Sequence, residues 1–532
     1  MTARLTASIA IVVLVGLTAC GPSPRPGDVV VYASGTDLES ANPLVTIHPL
    51  SRQVQRHVLF VTLARYDSAL TPQPYYARAW RWSADRRTLS LSLEPTLRWH
   101  DGAATTARDV VFTLRAARDP RAGFARAGDL AAMDTVYAPA DTALVVRFNA
   151  PQRALPSILA ELPILPAHKL AGVALSDMRR TDFNTNPVGN GPFRFVSRVP
   201  GQRWTFRRND EFPAAMGGAP RIRELVIAVV DEPTTKFAGL AAGDLDFAGI
   251  APTMAFLARR DPMIEVIDYP VLFSNALVFN VHRPPFDDER VRRAVDVSID
   301  RPRIVDAALA GFATPATGPV PPENPLARPM SAVRDPARAD SLLDAAGWRL
   351  GRDGRRVRDG KRLSVELLTV GSGDNAVEQL IQADLAERGM QVEIRQLEMA
   401  AFLARARAKE KNFDMLITGI PGDLSLAYLR AMFETGQRGS SLDYADFHSP
   451  AADALFAKAR GAPTEAALRD TWGEIQAELA RHVPVSWLYH SRGLQGVSAR
   501  MQNVTMDLRG ELVAVARWTT AVPRTGDAVA RR

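Results

Sequence analysis

Apolar and polar positions alternate with period two through Leu89-Ser90-Leu91-Ser92-Leu93, as they do in a strand with one face in a core and the other in water. Val29-Val30-Val31-Tyr32 is an unbroken run instead, which reads as a buried strand leaving through a loop at Asn42-Pro43. Helical spacing appears over 53–63 and again over 107–117, where Thr105 or Thr106 supplies a cap and Asp109 stands in the first turn. Trp99-His100-Asp101-Gly102 and Asn190-Gly191-Pro192 are turns, the second feeding an alternating strand through Phe193, Phe195 and Val199. Pro285-Phe286 followed by Asp287 and Asp288 starts a helix whose core stripe is Val291, Ala294, Val295 and Ile299. Strand and helix then alternate over 363–370, 376–388, 392–397, 400–408 and 413–418, which predicts an α/β lobe.

The N-terminus follows a different rule. Arg4 precedes an apolar run that begins near Ile9 and closes on Leu17-Thr18-Ala19-Cys20, the layout of a secretory signal and too short to cross a bilayer and stay. Leu-Thr-Ala-Cys resembles the lipobox of bacterial lipoproteins, which implies removal of 1–19 and lipidation of Cys20; an ordinary signal with an incidental cysteine is the alternative. Residues 20–28 contain Pro-Ser-Pro-Arg-Pro-Gly and read as an extended tether. Because Cys20 is the only cysteine, an internal disulfide is excluded. A chain of 532 residues with 46% hydrophobic content has enough apolar material for two or more domains. Its net charge of +7 is spread along the chain, too diffusely to argue for nucleic acid. No later apolar run reaches the roughly 18 residues of a membrane span. The stretch 519–532 lacks apolar periodicity and reads as a disordered tail.

Five blocks, in order, resemble one family. They are the Trp99-His100-Asp101-Gly102 turn with the helix after it, Asn186-Pro187-Val188-Gly189-Asn190-Gly191-Pro192-Phe193, the stretch Phe206-Arg207-Arg208-Asn209-Asp210-Glu211-Phe212, Pro285-Phe286-Asp287-Asp288-Glu289-Arg290-Val291-Arg292, and the helix exit Ala345-Ala346-Gly347-Trp348. Together they resemble the large solute-binding proteins of ABC importers, the peptide/nickel (oligopeptide/dipeptide) binding family 5. Read locally, these motifs specify a fold and need not touch ligand. The resemblance implies an α/β, two-lobed periplasmic-binding-protein fold with an extra subdomain, its lobes joined by two crossover strands. Lobe I would be 29–270, with the subdomain near 65–170, and would be rejoined by 486–518. Lobe II would be 271–485, and the crossovers would run over 271–280 and 483–489.

No enzyme motif is found: no His-Glu-x-x-His, Gly-x-Ser-x-Gly, Walker loop or Gly-x-Gly-x-x-Gly after a strand. The eight histidines show no ligand spacing, so neither a metal site nor a cofactor is expected. By resemblance to peptide-binding members, an aspartate placed as Asp423 is here, after Gly419, accepts the ammonium of a peptide. Ile420 stands where those members have tryptophan, and the loop to Tyr428 is about two residues shorter. Asp423 as the cap of the next helix is the competing reading. The loop after the first strand would bring Ile47 and His48 near the cleft, with burial as a backbone-satisfied histidine the common alternative for His48. The implied function is a monomeric, lipid-anchored, extracytoplasmic receptor. It would capture a small solute, first of all an oligopeptide, and deliver it to a membrane permease driven by a cytoplasmic ATPase. A non-peptide solute such as a nickel chelate or sugar, and a secreted hydrolase, are the rivals.

Overall fold

The computed structural model describes residues 27–46, 48–330, 333–371, 375–462 and 464–521; the expectations for Cys20, the leader, most of the tether and Ile47 lie outside the described residues. The chain forms two α/β lobes that share one sheet. From edge to edge its strands are Gln391–Leu397, Ser364–Val370, Met415–Pro421, Ile264–Phe279, Val485–Ser498, Phe247–Gly249, Val29–Ser34, Glu224–Val229, Arg203–Arg208 and Phe193–Val199, with Ala313–Pro315 added on Val485–Ser498. The two central strands are the crossovers, and they are longer than the sequence pattern predicts. Ile264 to Pro270 pair with Ser498 to Arg492; the register then breaks and resumes at Ser274 opposite His490. From within the break onward, Phe273 to Phe279 also pair with Pro421 to Met415 of the second lobe. On the other side, Val497 to Gln495 pair with Phe247 to Gly249 of the first.

Each side of the sheet carries its own core. In the second lobe, Ile304, Leu343, Leu367, Ile381 and Leu488 pack on one face, while Leu368, Phe402, Leu416, Leu429, Phe456 and Trp472 pack on the other. Such two-faced burial explains the consecutive buried residues Leu367, Leu368 and Thr369 in strand Ser364–Val370 and Met415, Leu416 and Ile417 in strand Met415–Pro421. The stripe Val291, Ala294, Val295 and Ile299 is buried as its spacing predicts. In the subdomain, Leu89, Leu91 and Leu93 face a core with Leu144 and Val146, and the serines between them face water. There the four strands run in the order Ala77–Trp82, Thr88–Leu93, Ala143–Phe148, Met133–Ala140, with helix Ala107–Arg118 joining the same core.

The helix expected over 53–63 is instead an α-helix, Pro49–Val54, that continues as a π-helical turn, Gln55–Leu59. Tertiary contacts fix the odd register. The Phe60 amide donates to the Gln55 carbonyl at 3.0 Å, and the amides of Asn190 and Gly191 donate to the Leu59 carbonyl at 3.0 and 2.8 Å. A Cβ on Gly189 would come within 2.1 Å of the Leu59 oxygen, and one on Gly191 within 2.6 Å of the Val58 oxygen, so both positions require glycine. His100 completes the joint, its Nε2 3.0 Å from the Gly191 carbonyl. The Trp-His-Asp-Gly and Pro-Val-Gly-Asn-Gly-Pro blocks are therefore one structural clasp behind the helix that carries Arg52 and Arg56.

At the C-terminus, Trp518 stacks on Phe247 with ring centroids 4.2 Å apart. Thr519–Thr520 pair with Met501–Gln502, so regular structure extends two residues into the stretch read as a tail. No helix among the described residues is long and apolar enough to cross a membrane.

Candidate ligand cleft

A cavity of about 300 Å³ opens where the first lobe, the subdomain and the second lobe meet. Pro43, Thr46, Arg52 and Arg56 form one wall, Phe124 to Asp129 with Ile158 to Pro163 a second, and Pro421 to Asp423 with Tyr428 and Arg430 a third. The lobes touch across it. Arg430 Nη2 lies 3.4 Å from Asp129 Oδ1, and outside the cavity lining Arg153 Nε lies 2.9 Å from Glu465 Oε1.

Seven charged side chains stand among a largely apolar lining: the guanidiniums of Arg52, Arg56, Arg126 and Arg430 and the carboxylates of Asp129, Glu161 and Asp423. Arg126 holds two of the acids, with Nη2 2.7 Å from Asp129 Oδ2 and Nη1 bonded to Glu161 Oε2. Burial works against the charge on Arg126, but Glu161 and Asp129 outweigh it and hold its pKa above the ordinary arginine value. The other oxygen of Glu161, Oε1, is buried without a hydrogen-bond partner among the described residues. Arg52 and Arg56 differ from Arg126. They are half-buried, one turn apart, and neither has an ion pair or side-chain hydrogen bond among the described residues. Burial, with repulsion from Arg56 and Arg126, pushes Arg52 down to about 10, and burial likewise lowers Arg56.

Asp423 does line the cavity, yet its carboxylate is already bonded. Oδ1 accepts from the Ser425 amide at 2.9 Å, the Ser425 hydroxyl at 2.6 Å and the Ala427 amide at 3.0 Å, and Oδ2 accepts from the Tyr428 amide at 3.1 Å. It thereby closes the turn that starts helix Ala427–Phe433, where Leu426 takes the left-handed conformation. Burial pushes the Asp423 carboxyl up, but Arg126, the Ser425 hydroxyl and the Ala427 amide prevail and hold it below the usual carboxylate value.

Gly419 and Ile420 stand in strand Met415–Pro421 and away from the cavity lining. A Cβ on Gly419 would come 2.2 Å from Phe273 Cζ, so this glycine makes room for a cross-strand ring. Ile420 is 1% exposed and lies in the core of the second lobe. His48 caps helix Pro49–Val54. Its Nδ1 accepts from the Ser51 amide at 3.2 Å, which leaves the proton on Nε2, 2.9 Å from Thr36 Oγ1. Of the predicted site residues that are described, the structure therefore brings only Asp423 to the cavity wall.

No motif marks the lining arginines and Glu161 in the sequence, although two weaker signals do. Glu161 is a lone carboxylate in the apolar stretch from Ile158 to Leu165, and Arg52 and Arg56 share a face of a helix whose Val54, Val58 and Leu59 are buried. Among the described residues, one group of metal-compatible donors lies elsewhere: Asp443, Asp446 and His448. Its carboxylates are taken up, Asp446 by Arg438 at 2.8 and 2.9 Å and Asp443 by the amides of Gly439 and Asp446.

Residues 71–439 match the family described as bacterial extracellular solute-binding proteins, family 5 middle. Among curated relatives, Protein XP55 of Streptomyces lividans is 28% identical over 85% of this chain and 82% of its own. The oligopeptide-binding protein AppA of Bacillus subtilis is 22% identical over 98% and 99%. The solved structure of that AppA in complex with a nonapeptide superposes with a TM-score of 0.81 at 22% identity, over 93% of this chain and 99% of AppA. NikZ of Campylobacter jejuni in complex with Ni(L-His) superposes with a TM-score of 0.82 at 22% identity, over 93% and 100%.

Proposed function

The chain belongs to family 5 of the bacterial extracellular solute-binding proteins, a family of binding proteins and not of enzymes, and on that premise we propose that it is the receptor of an ABC importer. It takes up a small solute, first of all an oligopeptide, between its lobes and passes it to a permease driven by a cytoplasmic ATPase. Closure about the crossover strands is the working motion, with ligand shifting the population of closed molecules. The observation that supports this reading is the cavity bounded by both lobes and the subdomain, of the size of a small-ligand site. We place the receptor outside the cytoplasm as a monomer, tethered through lipid on Cys20; a Cys20→Ser chain recovered entirely in the soluble fraction is the expected result, and one still on membranes refutes the anchor.

Native mass spectrometry after incubation with a pool of tri- to pentapeptides tests the cargo. Intact peptides retained at 1:1 are expected, with a melting shift equivalent to about 2.7 kcal/mol at a hundredfold excess over Kd. Peptide fragments would point to a hydrolase and overturn the reading. A second reading, a non-peptide solute such as a nickel chelate, is favoured by one observation: the Asp423 carboxylate that would receive an ammonium is engaged by three backbone amides. Under that reading the peptide pool is not retained and nickel with histidine raises the melting temperature.

A further inference from the structure

We infer that the cargo carries a carboxylate and that Arg52 and Arg56 receive it. This deepens the receptor reading and rests on it. Every other charge lining the cavity has a partner: Arg126 holds Asp129 and Glu161, Arg430 lies between Asp129 at 3.4 Å and Glu434 at 3.8 Å, and Asp423 is bound by amides and the Ser425 hydroxyl. Arg52 and Arg56 remain, two half-buried like charges one helical turn apart, with no carboxylate within ion-pair distance among the described residues. Arg56 Nε is fully buried without a hydrogen-bond partner among the described residues. Like charges at this spacing destabilise a helix, and a buried guanidinium with unfilled donors adds a desolvation penalty. Glu161 attracts both guanidiniums and Asp423 attracts Arg52, but among the described residues neither carboxylate reaches ion-pair distance; a planar two-oxygen anion fills the free donors, because the guanidinium fork matches it.

The position is also built. The clasp of Gly189, Asn190 and Gly191 on the Leu59 carbonyl holds the π turn that carries Arg56, and His48 caps the helix that carries Arg52. On the wall from Ile158 to Pro163, Glu161 Oε1 is buried without a hydrogen-bond partner among the described residues, an acceptor for an N–H or O–H elsewhere on the same solute.

The test uses four probe sets on the full chain: tri- to pentapeptides with free C-termini, the same peptides amidated, non-peptide mono- and dicarboxylic acids, and the amides of those acids. Retention is read by native mass spectrometry and Kd by calorimetry. Free acids held and amides weakened at least tenfold are expected, with Arg52→Gln and Arg56→Gln each weakening the acids tenfold to a hundredfold while leaving the amides unmoved. Arg56→Lys restores part of the loss. Both glutamine variants should melt, without ligand, at or above the parent temperature, which separates lost binding from lost folding. Peptide acids and amides held equally would overturn the carboxylate inference and leave the peptide receptor standing. Non-peptide acids held with all peptides released would uphold the carboxylate inference and overturn the peptide cargo. Retention of none of the four sets would overturn both.

Discussion

Replacing Asp423 by alanine is expected to loosen the second lobe without weakening ligand capture, because the side chain is engaged by its own backbone. Its carboxylate accepts from the amides of Ser425, Ala427 and Tyr428 while the residue is 8% exposed. Loss of the cap costs about 1 kcal/mol, and each further amide left buried without a partner costs about 1–3 kcal/mol. Local relaxation and water entry reduce that sum, so the net loss is about 2–4 kcal/mol. For a lobe of roughly 200 residues this corresponds to about 5–12 °C in melting temperature. Asp423→Asn keeps one acceptor oxygen and should recover about half. The measurement is calorimetric melting of the unliganded protein, paired with titration of a retained ligand well below the melting range. If Asp423 were instead the ammonium acceptor, removing it would leave the unliganded melt unchanged and weaken binding at least tenfold. A shift under about 1 °C together with that tenfold loss would refute the capping argument. Removing a carboxylate that attracts Arg52 and Arg126 also leaves the cleft more positive, so affinity for a carboxylate ligand should hold or improve.

Two further perturbations address the hinge and the second lobe. His490, 3% exposed and 2.8 Å from Ser274 Oγ beside the register break, is pushed by burial from 6.5 to about 4. A folded pKa below the unfolded one means that the unfolded chain binds the extra proton, so this stability is fully present above about pH 6.5 and is lost as pH falls toward 4. It amounts to about 2 kcal/mol by pH 4.5. His490→Asn should therefore flatten the denaturation profile between pH 6.5 and 4.5, and a profile parallel to the parent's would sink the assignment. Gly419→Ala should cost about 1–3 kcal/mol through the clash with the Phe273 ring, and adding Phe273→Ala should remove most of that cost in a double-mutant cycle; strictly additive losses would show that the two do not meet.

How far the sequence reaches depends on whether a residue's surroundings are local. Leu89, Leu91 and Leu93, or Val291, Ala294 and Val295, are buried because the period of their own element puts them on one face, so pattern alone finds them. The π turn at Gln55–Leu59 is out of reach, since its register is imposed by amides more than 130 positions away, at Asn190 and Gly191. Ile420 shows a parity that could have been used: Leu416 and Ile420 share the face of their strand that enters one core, which takes Ile420 away from solvent whatever residue relatives carry there. Asp423 is the mixed case. Its spacing from the strand brings it to the cleft, while a loop that turns at once into helix Ala427–Phe433 places three amides around its carboxylate. Arg52 and Arg56 were hidden by abundance, being two of 65 basic residues, most of which cover surface or pair within reach. What distinguishes them is that, among the described residues, no carboxylate comes within ion-pair distance of them inside the cavity. That property belongs to three converging chain segments and to no single stretch, so it becomes visible only when the fold brings the walls together.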